Sequence, residues 1–301
     1  NRHTRHTLNG FITYSETRTS YTTGGLDSTT IGKSVQAGIR YTVPKKMTSS
    51  DKRNLRYGVD YKKSDNAYDY IFFGTPFSGT PTTTETVQFT VGYDRSLTYG
   101  KDSGRKPGSC SLDVQLIYSP GDMASDNDLA AYQRNSAFAD PSYVYGKLSL
   151  SRSFQRPDGG LLKLNSTGQY SGETLLGGEQ ISITGRGYDP SESSGDYGGT
   201  ITAELYSKPF SLAEKARGRS LKDDQCRALL FVDYGWAGLH NPGGGDKDKE
   251  ALSAGAGLRW NVGEGFSVSF DYGWQLKDTG VSALMYDRSA GRAHLSVSAS
   301  W

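Results

Sequence analysis

The 301-residue chain carries 34 Lys and Arg against 32 Asp and Glu, a formal net charge of +2, which excludes the concentrated basic surface of a nucleic-acid binder. No run of about 18 apolar residues occurs, so no transmembrane helix is encoded. Only 35% of residues are hydrophobic, yet there are 20 Tyr, 11 Phe, 4 Trp and 38 Gly, a mixture of aromatics and turn formers that suits an all-β protein.

No signal peptide is read at Asn1, where either the mature chain begins or an upstream region is expected. Cys110 and Cys226 are too few for a disulfide framework and fall on strands far apart in chain order, so they are expected not to bond. His3, His6, His240 and His294 have no metal-ligand spacing; no metal and no cofactor are expected. The basic clusters Lys45-Lys46 and Lys215–Arg219 read as solvated turns.

Along the chain the dominant signal is period-two alternation. Val35, Ala37, Ile39 and Tyr41 share one face, against Gln36, Gly38 and Arg40. Leu55 to Tyr61, Val87 to Tyr93 and Leu112 to Tyr118 repeat the pattern, and further runs lie near 143–154, 161–170, 179–184 and 200–206. In the last third, Leu230 to Trp236, Leu252 to Trp260, Phe266 to Trp274 and Ala293 to Trp301 alternate with Ser, Gly, Asp, Arg and His. Each strand reads as about ten residues, the length that crosses a bilayer at a tilt. The apolar face ends repeatedly in Tyr or Trp, as at Tyr41, Tyr93, Trp236 and Trp260, where hydrocarbon meets water. The other face suits a wet lumen. The predicted fold is therefore an all-β transmembrane antiparallel barrel, of about thirteen strands by this reading.

Loop lengths suggest an orientation. The tight 261–265 turn is assigned to the periplasm, and the 186–199, 237–249 and 277–290 loops face outward. Counting back places 65–83 and 119–140 on the periplasmic side despite their length, with a short capped helix near Ser125–Gln133.

One loop carries a cation at its tip: Gly185-Arg186-Gly187-Tyr188-Asp189. Glycines on both sides let the turn enter a narrow space, and an enclosed Arg needs a carboxylate in bidentate geometry. Phe231-Val232-Asp233-Tyr234-Gly235 offers one: Asp233 has inward parity, and Gly235 leaves room. Asp271 in Phe270-Asp271-Tyr272-Gly273 has the same parity and is the rival partner. Glu204, Lys163, Asn165 and Gln169 also point inward and read as channel lining. No nucleophile–base–orienter set is visible, so no catalytic residue and no enzyme activity are expected.

The chain resembles, over most of its length, the outer-membrane transporters of two-partner secretion, the haemolysin-activator type. The resemblance rests on Ala67-Tyr68-Asp69-Tyr70 with Thr82–Phe89, Tyr118–Gly121 with Asn127–Tyr132, Gly168–Tyr170, Leu175–Gln180, Ser194–Gly198 and Thr202–Leu205. It rests most on Gly185-Arg186-Gly187-Tyr188, similar to the family's Val-Arg-Gly-Tyr/Phe loop, and on Phe231-Val232-Asp233-Tyr234-Gly235, similar to its Phe-x-Asp-x-Gly strand. Gly185 stands where the family usually has Val.

The resemblance implies a sixteen-stranded barrel preceded by periplasmic POTRA domains, so those domains and about three strands are expected upstream of Asn1. It implies that the 186–199 loop folds into the lumen and latches Arg186 to Asp233, supported by Phe231, Gly235, Glu204 and Asp271. It implies a bacterial outer-membrane pore that secretes an unfolded exoprotein partner, with outer-membrane lipid and the barrel-assembly machinery as further partners and no nucleic acid. A barrel-assembly insertase of the same superfamily, or a passive porin or structural barrel, are the alternatives.

Overall fold

The computed structural model describes residues 6–23, 26–72, 75–100, 107–188, 193–212, 214, 224–242, 248–263, 265–277, 279 and 291–300, without the side chains of 19–28, 30, 68, 72, 76 and 77. Asp189, the Lys215–Arg219 cluster, most of the 277–290 loop and Trp301 lie outside the described residues.

In chain order the elements are β1 (Thr7–Thr23), β2 (Leu26–Met47), β3 (Asp51–Phe72), β4 (Thr75–Ser78), β5 (Thr82–Tyr99), β6 (Gly108–Pro120), α1 (Leu129–Asn135), β7 (Ser142–Gln155), β8 (Leu161–Ser171), β9 (Ile181–Ser182), β10 (Ser194–Gly195), β11 (Tyr197–Tyr206), β12 (Asp224–Gly238), β13 (Asp248–Val262), β14 (Phe266–Gln275) and β15 (Gly291–Ala299). One antiparallel sheet runs β1-β2-β3-β5-β6-β7-β8-β11-β12-β13-β14-β15, with β4 attached to β3. Among the described residues β1 and β15 each pair on one side only.

The two faces of this sheet are inverted relative to a water-soluble protein. Ile39, Val59, Phe89, Tyr118 and Val144 stand in one cross-strand row over five strands, and all five are exposed. Leu258, Phe270 and Leu295 form a second such row. Polar residues take the protected face: Asp60 and Gln88 are 2% exposed and Ser253 is 0%, against 61% for Leu230 and 71% for Leu295. An apolar outer band with a polar interior is what a lipid-facing barrel wall needs. Inside, ion pairs neutralise the wall's charges. Arg40 meets Asp60 at 2.6 Å, Asp51 gathers Lys46, Arg53 and Arg95, and Arg56 bridges Asp94 and Asp113.

Two expectations need correction. Strand length is not uniformly near ten: β2 and β3 have 22 residues and β5 has 18. Apolar alternation stops near Tyr61, while pairing continues through Lys62-Lys63-Ser64-Asp65-Asn66. Neither face of this part of the ladder is apolar, so it lies outside the hydrocarbon, and alternation marks only the part inside. The second correction concerns 179–184, which is not a wall strand. Ile181-Ser182 pairs only with Ser194-Gly195, and β8 pairs directly with β11. Removing that span reverses the upstream parity. The β3–β5 and β6–β7 connections, within 65–83 and 119–140, therefore open at the same end as the Arg186 loop, opposite the 261–265 turn.

The β6–β7 connection carries the short helix α1. Asp128 caps it, its carboxylate accepting from the Ala131 N–H at 2.7 Å. Tyr132, fully buried, lies with its hydroxyl 2.6 Å from that of Thr86. Asn127 donates to the Glu85 carbonyl at 2.9 Å. Tyr132, Ile117, Ala139, Tyr143, Tyr145 and Leu175 form one apolar cluster, which joins this connection to the loop between β8 and β11. Cys110 and Cys226 do not form a disulfide with each other.

Candidate functional site: a loop fastened to two walls

β12 sets the site because its odd-numbered residues Phe231, Asp233 and Gly235 face the protected side. Arg186 arrives from the 172–196 loop. Its backbone N–H donates to Asp233 Oδ2 at 3.1 Å, its Nε to the same oxygen at 3.0 Å, and a terminal nitrogen to Oδ1 at 2.9 Å. This is the bidentate fork that guanidinium and carboxylate geometries share. The other terminal nitrogen donates to Glu204 Oε1 at 2.9 Å and lies 3.8 Å from Asp271 Oδ2. Beneath, the Phe231 ring centroid is 3.5 Å from Arg186 Cζ, a cation–π stack that covers one face of the ion.

The sequence left Asp233 and Asp271 both open as partners. Asp271 is taken chiefly by Arg259, whose two terminal nitrogens donate to its two oxygens at 2.7 Å each. Glu204 is steadied by the Tyr206 hydroxyl at 2.9 Å.

The neighbours of Arg186 hold the turn. The Tyr188 hydroxyl accepts from the Leu252 N–H at 2.8 Å and donates to the Lys277 carbonyl at 2.6 Å. His294 Nε2 donates to the Arg186 carbonyl at 2.8 Å. Two wall glycines make this approach possible. A Cβ on Gly235 would stand 2.2 Å from the Ile183 carbonyl oxygen, and one on Gly273 would stand 2.7 Å from the Arg186 carbonyl carbon. Any other residue there would push the loop away from the wall.

The start of the same loop is tied elsewhere. Glu179, 6% exposed, accepts from Lys62 Nζ of β3 and from the Tyr145 hydroxyl of β7, each at 2.6 Å. Its carbonyl accepts from Gln169 at 2.8 Å. Burial pushes the Glu179 carboxyl up, but the Lys62 charge and the hydrogen bonds to it outweigh burial and hold it below the ordinary carboxylate value. Beyond both anchors, at the end of the loop, the fully buried Asp196 accepts from the Leu175 N–H at 2.9 Å, from Gln180 at 3.1 Å and from the His240 N–H at 2.9 Å. A polar cavity of about 440 Å3 remains between Gln36, Lys62 and Thr86 of the wall and Asn135 and Gly178 of the loops.

Arg186, Asp233, Glu204, Phe231 and Gly235, named from the sequence, meet in one place. Glu179, Lys62, Asp196, His294 and Arg259 were not singled out. Gln169 and Glu204 had the right parity, but parity gives the face of a residue and not its partner. Among the described residues no cluster of three or more His, Cys, Asp or Glu suits a metal ion.

The family model for the haemolysin secretion/activation protein ShlB/FhaC/HecB matches residues 3–260. No curated protein matches the sequence. Among solved structures, CdiB from Escherichia coli superposes with a TM-score of 0.69 at 18% identity, over 98% of this chain and 50% of that one. CdiB from Acinetobacter baumannii gives 0.61 at 16% identity, over 98% and 51%. The chain thus spans about half the length of these two structures. At such identities the likeness is one of fold.

Proposed function

The chain belongs to the ShlB/FhaC/HecB haemolysin secretion/activation family of bacterial outer-membrane proteins, and we propose that it is the pore of a two-partner secretion transporter whose 172–196 loop obstructs the lumen at rest. An unfolded exoprotein is its cargo. The periplasm offers no nucleotide to drive the passage, and folding outside makes the movement one-way. POTRA domains and about three further strands, in the part of the length this chain does not span, would receive the cargo by strand addition and complete the wall. Outer-membrane lipid and the barrel-assembly machinery are its other partners in this reading.

The supporting observation is the Arg186–Asp233 fork. Both side chains are withdrawn from solvent, at 19% and 7% exposed. Removing one partner of a pair so placed costs about 3–5 kcal/mol, because the other charge is left uncompensated. Such a contact is strong enough to define a resting position and local enough to be released as a unit. The test is secretion of the exoprotein from cells making Arg186→Ala or Asp233→Ala, with barrel assembly checked by heat-modifiable migration. The reading expects assembled barrels whose secretion departs clearly from that of the wild type. Normal secretion from both variants would remove the loop from the mechanism.

A further inference from the structure

We propose that the wall around Asp233 is a receptor for an arginine side chain of the passing polypeptide, and that Arg186 is its resident occupant. This rests on the translocation reading and adds the chemistry of the contact.

The receptor is complete without the loop. Its floor is the Phe231 ring. Its fork acceptor is Asp233, and its side wall is Glu204. The neighbouring groups are fixed by the barrel itself: Tyr206 holds Glu204 and Arg259 holds Asp271. Lys163, the cross-strand partner of Glu204, is turned onto the Tyr206 ring with its Nζ 4.8 Å from the centroid. Three carboxylates, Asp233, Glu204 and Asp271, thus balance three cations, Arg186, Arg259 and Lys163. Withdrawal of Arg186 leaves one excess negative charge, with Asp233 stripped of its fork.

An approach also exists. A cavity of about 390 Å3 lies against Arg186 and is lined by Thr184, Tyr188, Thr202, Glu204, Asp233 and His294. A side chain entering there meets Glu204 and Asp233 while Arg186 is still in place. Stepwise exchange avoids a state in which Asp233 is buried and unpaired. A guanidinium is favoured over an ammonium because a planar ion both stacks on Phe231 and engages Asp233 through two parallel bonds. Each arginine of an unfolded cargo would therefore compete with Arg186 for the wall and help to hold the loop aside.

The experiment uses the full-length transporter in planar bilayers. Arg186→Ala empties the receptor. Methylguanidinium is then expected to bind the vacant wall, read as a saturable change in conductance, and methylammonium at equal ionic strength to act at concentrations at least about tenfold higher. Adding Asp233→Asn is expected to abolish the effect. On the wild type, a tetra-arginine peptide is expected to raise the open fraction where tetra-lysine at the same concentration does not. If Arg186→Ala fails to assemble, Arg186→Lys, which keeps the charge and lacks the fork, takes its place. Absence of a saturable methylguanidinium response, an equal response to methylammonium, or a wild type indifferent to tetra-arginine overturns the proposal. The methylguanidinium arm involves no exoprotein, so a failed secretion assay leaves it standing, and its own failure sinks the receptor with secretion intact.

Discussion

Lys62 on β3 donates to Glu179 at 2.6 Å across 117 residues of sequence, while Arg186, seven positions further along the same loop, is gripped by Asp233 on β12. The loop is thus tied to one stretch of wall by a loop anion on a wall cation and to another by a loop cation on a wall anion. Opposite polarities make mispairing of the two anchors unfavourable, so the loop has one register against the wall.

The Glu179 anchor is expected to be acid-sensitive. A carboxyl held below its ordinary value in the folded state contributes stability that is present above the unfolded value, about 4.3, and lost as pH falls through the lower folded value. Wild-type pores in bilayers should open more often as the pH is lowered through that window. Glu179→Gln should be already loosened at neutral pH and flat across the window; a wild type and a Gln variant with the same pH profile would show that this ion pair does not hold the loop.

The Arg186–Asp233 pair should be non-additive. Arg186→Ala and Asp233→Ala are each expected to cost about 3–5 kcal/mol in the stability of the loop-docked state. The double variant should cost clearly less than their sum, since no charge is then left alone. Thermal melting of the purified protein, read with limited proteolysis of the 172–196 loop, completes the cycle. Simple additivity would mean that the two residues act separately.

Gly235 tests steric contact without touching charge. Gly235→Val places a side chain where the Ile183 carbonyl now lies. The barrel should assemble, because β12 loses no ladder hydrogen bond, but the loop should be displaced and more readily cleaved. A loop as protease-resistant as the wild type's would contradict the close packing of Ile183 on β12.

The barrel was legible in the sequence because hydrocarbon imposes a simple rule on one face of every strand: Leu230, Val232 and Trp236, or Phe270 and Trp274, announce themselves by alternation. The rule lapses outside the membrane. There Ile181 and Ile183 alternate with Ser182 and Thr184 and look like another strand, although they cover the inside of β12. That one misreading reversed the sides of the 65–83 and 119–140 connections. At the site, inward parity and a glycine two residues on narrowed the partner to Asp233 or Asp271, and the family resemblance pointed to Asp233. Glu179 and Lys62 stayed hidden because a pair 117 residues apart leaves no local periodicity.

The α1 connection is expected to be a stable part of this end of the barrel. Tyr132→Ala should cost about 3–5 kcal/mol, as for a large buried aromatic, and Asp128→Ala about 1 kcal/mol through loss of the cap. Protease sensitivity between 121 and 141 should rise in that order. Because Leu175 shares the cluster with Tyr132, Tyr132→Ala should also loosen the 172–196 loop; an unaffected loop would show the two connections to be independent.

The most direct test of the gating account is a paired measurement on Asp233→Ala: exoprotein released by intact cells, and the closed-state lifetime of the same purified protein in planar bilayers. The account predicts an assembled barrel with a shortened closed state and secretion that departs from the wild-type level. Wild-type values for both would contradict it.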